Sequence, residues 1–253
     1  MSFFYPSITL DTAYEPFELQ VARGLIPGHT SLNISGYQAA VGATFIPIWE
    51  NATAYTFPTA AQQMLLFSSS GSDTNVSVLV NGLDANYNMI SETIVLTNGI
   101  TGVLSTKSYL RVNSLAVTGT VNPVGALSFS SADKATTYAK IAAGAGRSAM
   151  TVYTVPAGHT FYLAKVNCYC DQSNNQVTNY RSYTRNPNGI ITAILQAPFT
   201  GVYESAKSVQ RGYPEKTDCQ WQCNSSATSQ VGLQIEGILV KGTNAPSPGT
   251  PRI

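Results

Sequence analysis

The chain has 253 residues, enough for one large β domain or two domains of about 100–150 residues. Hydrophobic residues make up 43%, so a core can form, but charged residues reach only 11% against the roughly 25% of ordinary soluble domains. A net charge of +1 offers no basic field to a nucleic-acid backbone, and no window approaches the ~18 uninterrupted apolar residues of a membrane helix.

The place of the missing charges is taken by Ser, Thr, Asn, Gln and Tyr, with 20 Gly and 13 Pro. That mixture predicts an all-β protein with an uncharged polar surface. A net charge near zero protects poorly against contact between copies, so the composition favours a chain packed against itself or a larger assembly.

The head, "MSFFYPSITLDTAYEPFELQ", has neither the basic start nor the long apolar stretch of a secretory leader. The sequons at Asn33, Asn51, Asn75 and Asn224 therefore carry little weight, and the expected place of synthesis is a cytoplasm. Phe3, Phe4 and Tyr5 cluster at this terminus, either as a strand completing the domain's own sheet or as an arm reaching into another subunit. Strand signals then follow densely: "VSVLVNGLD", "ETIVLTNGI", "SYLRVNSLAVTG", "MTVYTVPAG", "TFYLAKVNCYC", "GIITAILQAPF" and "VGLQIEGILVKG". Each is short, rich in β-branched and aromatic residues, and bounded by Gly, Pro or Asn. In "SYLRVNSLAV", Tyr109, Arg111 and Asn113 alternate with Leu110, Val112 and Ser114, the period of a half-buried strand.

Helical periodicity is confined to "SADKATTYAKIAAG", with Ser131 as a cap and Gly144 as a stop, and the same letters suit a linker. This stretch divides the chain. The expected architecture is two β-sandwich, jelly-roll-like modules, residues 1–130 and 146–242, joined by a linker or short helix over 131–145, with a single large sandwich as the alternative. Residues 243–253, "TNAPSPGTPRI", should form an extended tail, and Pro246, Pro248 and Pro251 join Phe3, Phe4 and Tyr5 as candidate assembly contacts.

The chemistry-bearing patterns are weak. Asp84, Asn86 and Asn88 open like a calcium loop, but Met89 and Val95 stand where such a loop needs Gly and a bidentate Glu. A hairpin turn explains the letters better, because Asn and Asp tolerate left-handed backbone and bond their own main chain. Cys168 and Cys170 fall on one face of a strand, and neither they nor Cys219 and Cys223 form a zinc knuckle; free thiols are expected, ahead of a disulfide and then zinc. His29 and His159 follow glycine in "IPGHT" and "PAGHT" and read as turn residues just before strands. "GAGRS" precedes a strand and offers no helix N-terminus to a phosphate. Glu204, Glu215, Asp218 and Glu236 are scattered, so no catalytic residue, metal or cofactor is expected. Trp49 and Trp221 read as core residues before they read as a sugar-stacking platform.

Several segments nevertheless occur in a familiar order: "ARGLIPGHTSLNISGYQAAVG", "IWENATAYTFPTAAQQMLLFSSSGSDT", "VNGLDANYNMISETIVLTNG", "TKSYLRVNSLAVTGTVNPVG", "GRSAMTVYTVPAGHTFYLAKV" and "PEKTDCQWQC". The chain from about Ala22 to Val240 resembles a group of structural proteins of tailed bacteriophages of marine and freshwater bacteria, cyanobacteria among their hosts. Where members of that group carry a glycine-rich stretch after "SSSGSDT", Thr74 here passes almost directly into "NVSVLV". The resemblance implies a non-enzymatic virion component whose partners are copies of itself and other virion proteins, above all a major capsid protein. Head decoration is the first expectation. A tail adaptor or fibre-like element touching host polysaccharide is the second, and a hydrolase of surface glycans the third.

Overall fold

The computed structural model describes residues 15–51, 53–171 and 176–242. Phe3, Phe4, Tyr5, Pro246, Pro248 and Pro251, and with them the expected extended ends, lie outside those residues. One short helix, α1 (Phe17–Ala22), precedes the strands. In chain order these are β1 (His29–Val41), β2 (Ile46–Pro47), β3 (Gln62–Ser68), β4 (Ser77–Leu83), β5 (Met89–Val95), β6 (Val103–Tyr109), β7 (Arg111–Val117) and β8 (Leu127–Ser131). They continue with β9 (Thr137–Ile141), β10 (Val152–Thr154), β11 (His159–Cys170), β12 (Thr178–Arg185), β13 (Ile191–Phe199), β14 (Val202–Tyr213), β15 (Asp218–Ser225) and β16 (Ser229–Lys241). The all-β expectation holds.

Among the described residues all strand pairs are antiparallel, and they form four sheets that enclose two cores. In the first sandwich the sheet β6-β3-β8-β9 faces the sheet β5-β4-β7. Alternate residues of β4, Val78 and Val80, turn inward with Met64, Leu66, Ile94, Tyr109, Leu115 and Phe129. In the second sandwich β1-β16-β11-β14 faces β10-β15-β12-β13, with the two-residue β2 attached to β15. Its core holds Phe161, Val166, Tyr180, Tyr213, Trp221, Leu233 and Ile235. Each such side chain withdrawn from water contributes roughly 1.5–3 kcal/mol, the term that closes both sandwiches in a chain with few ion pairs.

The module boundaries differ from the expected ones. β1 pairs with β16 in unbroken register from His29↔Val240 to Gln38↔Val231, so the first strand belongs to the second sandwich. The first sandwich is therefore an insertion between β2 and β10. A local pattern identifies a strand and is silent on a partner about 200 positions away, which is why the first 50 residues were grouped with their neighbours in sequence. The expected linker or helix over 131–145 instead holds the end of β8, a turn, and β9, the partner of β8. The turn between them is fixed locally: Ser131 Oγ accepts from Thr136 N–H at 3.0 Å, Asp133 Oδ1 accepts from Ala135 N–H at 3.0 Å, and Lys134 takes φ 62°. Pairing with β8 and burial of Tyr138, Ala139 and Ile141 override the helix propensity of an alanine-rich stretch.

Two devices join the sandwiches. Arg111 of β7 reaches into the second sandwich, where its Nε and Nη2 donate to the two carboxylate oxygens of Asp218 at 2.7 and 2.9 Å. Its Nη1 donates to the carbonyls of Pro58 and Leu110, and the guanidinium lies 4.8 Å from the centre of the Phe57 ring. Thr154 Oγ1 completes the cluster with a 2.7 Å bond to Asp218. The second device is Thr151, whose hydroxyl accepts from Ile48 N–H at 2.9 Å and donates to the Trp221 carbonyl at 2.7 Å, tying the two covalent links between sandwiches to β15. Here β1 passes so close that a Cβ on Gly36 would lie 2.1 Å from the Ile48 carbonyl oxygen.

Candidate assembly surfaces

Most groups with chemical potential are committed to holding the fold. Asp84 closes the β4–β5 hairpin: its Oδ1 accepts from the backbone N–H of Asn86 at 2.8 Å and of Asn88 at 2.9 Å, and Oδ2 accepts from the Asn88 amide at 3.1 Å. Burial nudges this carboxyl upward, and the Asn88 and Asn86 donors outweigh it, so Asp84 is held below its ordinary range. Tyr87 supplies the left-handed residue of the turn at φ 65°. The hairpin reading of this segment is what the structure shows, and among the described residues no cluster of three His, Cys, Asp or Glu side chains gathers to hold a metal.

Of the other carboxylates flagged in the sequence, Glu236 stands exposed on β16 and three are engaged. Glu204 pairs with Lys165 at 2.6 Å, Glu215 accepts from Gly158 N–H at 2.6 Å, and Asp218 belongs to the Arg111 cluster. His29 and His159 open β1 and β11, with each Nδ1 beside the carbonyl two residues earlier, at Pro27 and Ala157. These two strands flank β16 at the same level, His29 opposite Val240 and His159 opposite Lys241. Trp49 and Trp221 are fully buried, so neither forms a surface platform for sugars. Cys168, Cys170, Cys219 and Cys223 are free thiols, all buried.

What remains outward is strand edge. Sheet order leaves β1 and β13 each with one unpaired side. An edge strand presents a row of free N–H and C=O groups, and proteins that avoid self-association blunt it with charge, proline or a bulge. β1, "HTSLNISGYQAAV", carries no Asp, Glu, Lys, Arg or Pro along its length, and its register breaks only near the end, between Gln38 and Val41. β13, "ITAILQAPF", has no charge and a proline only near its far end, and its register with β12 shifts once, between Leu195 and Ala197. Ile191 and Ile194 stand at 54% and 36% exposure on it, and Ile190, in the turn just before it, at 61%, an unusual concentration of bare isoleucine for a solvated edge. At the opposite end of the second sandwich, Tyr169 and Val202 face each other across β11 and β14 and are also exposed.

A groove of about 590 Å³ runs between the sandwiches beside β1. Thr30, Leu32 and Ile34 of β1 line one wall, and Leu79, Met89 and Ser114 on the outer face of β5-β4-β7 line the other. Among the described residues that line it, Arg147 carries the only formal charge. The groove thus offers apolar and amide or hydroxyl contacts, the same chemistry as the edges. Sequence reading located β13 as a strand but missed both the edge position of β1 and the Arg111–Asp218 pin. The alternation through Arg111 marks a strand face and gives no sign that a second sandwich covers it.

No protein-family model matches the sequence, and no curated protein matches it. Among solved structures the chain is similar to the VP2 protein of infectious bursal disease virus in derived T=1 particles, a D431N mutant, at 10% identity, with 92% of this chain and 76% of that one covered and a TM-score of 0.27. The structure of the Gt strain of the same virus compares similarly, at 11% identity, coverage of 92% and 80%, and a TM-score of 0.26. Scores at this level do not describe a superposable fold. Among the described residues no helix is long and apolar enough to cross a membrane.

Proposed function

We propose that this chain is a non-enzymatic structural protein of a bacteriophage particle, a decoration or cement protein that associates with copies of itself and with the major capsid protein of the head. The observation that carries the reading is the pair of uncharged edge strands, β1 and β13, the latter bearing exposed Ile191 and Ile194 with exposed Ile190 just before it. A protein that lives dispersed in solvent would need its edges charged, and this one has 11% charged residues in all. The sequence resemblance to structural proteins of tailed phages agrees with that reading. Attachment would draw on apolar burial and backbone pairing across edges, with little help from ions.

Salt dependence tests it. Purified chain should self-associate, and bind capsids that lack it, with affinity nearly constant from low salt to several hundred millimolar NaCl, because screening acts on charges and the β1 and β13 edges have none. Release at a few hundred millimolar NaCl, or a strictly monomeric protein that ignores capsids, would remove the proposal.

A further inference from the structure

The four thiols of the second sandwich are not equivalent. Cys170 Sγ accepts the Gly201 N–H at 3.2 Å, and Cys219 Sγ donates to the Thr217 carbonyl at 3.9 Å. Cys168 and Cys223 instead meet each other, Sγ to Sγ at 3.7 Å, with both residues at 0% exposure. They come from opposite sheets, Cys168 from β11 and Cys223 from β15, and so touch across the core. A disulfide has its sulfurs about 2.05 Å apart, so the 3.7 Å contact must close by about 1.65 Å. We propose that Cys168 and Cys223 are a disulfide-forming site, reduced in the cell and closed by a peroxide once the protein leaves it.

The chemistry balances within the pair and one peroxide. One sulfur of the pair, as thiolate, attacks a peroxide oxygen; the O–O bond breaks, a sulfenic acid forms, and the hydroxide released takes a proton and leaves as water. The second sulfur then attacks the sulfenic sulfur. The S–S bond forms, the S–O bond breaks, and the departing hydroxide carries off the second thiol's proton as water. Two electrons pass from the sulfurs to the peroxide. Burial, then the Cys168 sulfur beside it, pushes the Cys223 thiol well above its ordinary value, so closure should be slow at neutral pH and faster in mild alkali. The bond would span β12, β13 and β14, closing a long loop and stiffening the sandwich that carries both uncharged edges. This site stands independently of the proposed role in a particle.

The test uses the full chain, treated natively with hydrogen peroxide at pH 8, then alkylated in denaturant, with fragment mass spectrometry to place any bond. The expected result is a fall from four alkylatable thiols to two in a monomeric product, linked between Cys168 and Cys223, with a raised urea midpoint that a thiol reductant reverses. The double variant Cys170→Ser/Cys219→Ser should still form the bond, and Cys168→Ala should not. Four thiols remaining, a bond through Cys170 or Cys219, a cross-linked dimer, or oxidation to sulfonic acid without a bond would each overturn the proposal.

Discussion

Replacing Arg111 by Met removes the one ion pair that joins the sandwiches among the described residues, while keeping most of the side chain's apolar length. Arg111 and Asp218 are 7% and 5% exposed, and the Arg111→Met change deletes both bonds to the carboxylate together with those to the Pro58 and Leu110 carbonyls. Asp218 would keep only the Thr154 hydroxyl. A buried charge stripped of its partner costs about 3–5 kcal/mol, a large share of the roughly 5–15 kcal/mol by which a domain is stable. The assay is urea unfolding followed by tryptophan fluorescence, since Trp49 sits in one core and Trp221 in the other. Arg111→Met should lower the midpoint by an amount equivalent to about 3–5 kcal/mol and split a shared transition into two. Adding Asp218→Leu should recover a substantial part of the loss, because no charge is then left buried. A single variant costing under about 1 kcal/mol, or a double variant costing the sum of both singles, would refute the picture of a desolvated, mutually dependent pair.

Glu50, on the link between β2 and β3, is pushed from 4.5 to about 7, by burial first, against the opposing pull of the Ala142 and Ala149 backbone and of Lys140. A carboxyl raised on folding favours the folded state at low pH; wild type should lose stability as pH rises from about 4.5 to 7 and level off above, while Glu50→Gln stays flat and gains about 1–2 kcal/mol at pH 8, discounted for partial exposure, in thermal melts across that range. Gly36→Ala puts a methyl 2.1 Å from the Ile48 carbonyl oxygen and 2.6 Å from Thr151 Cγ2, and should cost roughly 1–3 kcal/mol in the same melts; an unchanged melting temperature would mean that β1 does not cross there. Ile194→Lys charges the edge of β13 at a position 36% exposed, and should abolish self-association in analytical ultracentrifugation while shifting stability by no more than about 0.5 kcal/mol.

Local rules of sequence carried far in this protein, and they stopped where partners are distant. The two "GHT" turns correctly mark where β1 and β11 begin, because a left-handed glycine, Gly28 at φ 74° and Gly158 at φ 68°, precedes each strand. The "LDANYN" hairpin was legible for the same reason, since an Asx side chain folding back on its own backbone is a property of adjacent residues. The pairing of β1 with β16 was not legible, because nothing in "HTSLNISGYQAAV" names its partner. Neither was β9, where "TTYAKIAAG" has helix formers whose preference yields to an available strand. The assembly surface was half legible. Low charge was visible in composition, while the finding that β1 and β13, two strands without a charged side chain, stand at sheet edges needed the sheet order.

The most direct test of an assembled role is the copy number of this chain in purified particles, by quantitative mass spectrometry against the major capsid protein. The proposal predicts a ratio of one copy per capsid subunit or per few subunits. A count of about a dozen or fewer would place the protein at the tail or connector, and its absence from particles would contradict the structural role altogether.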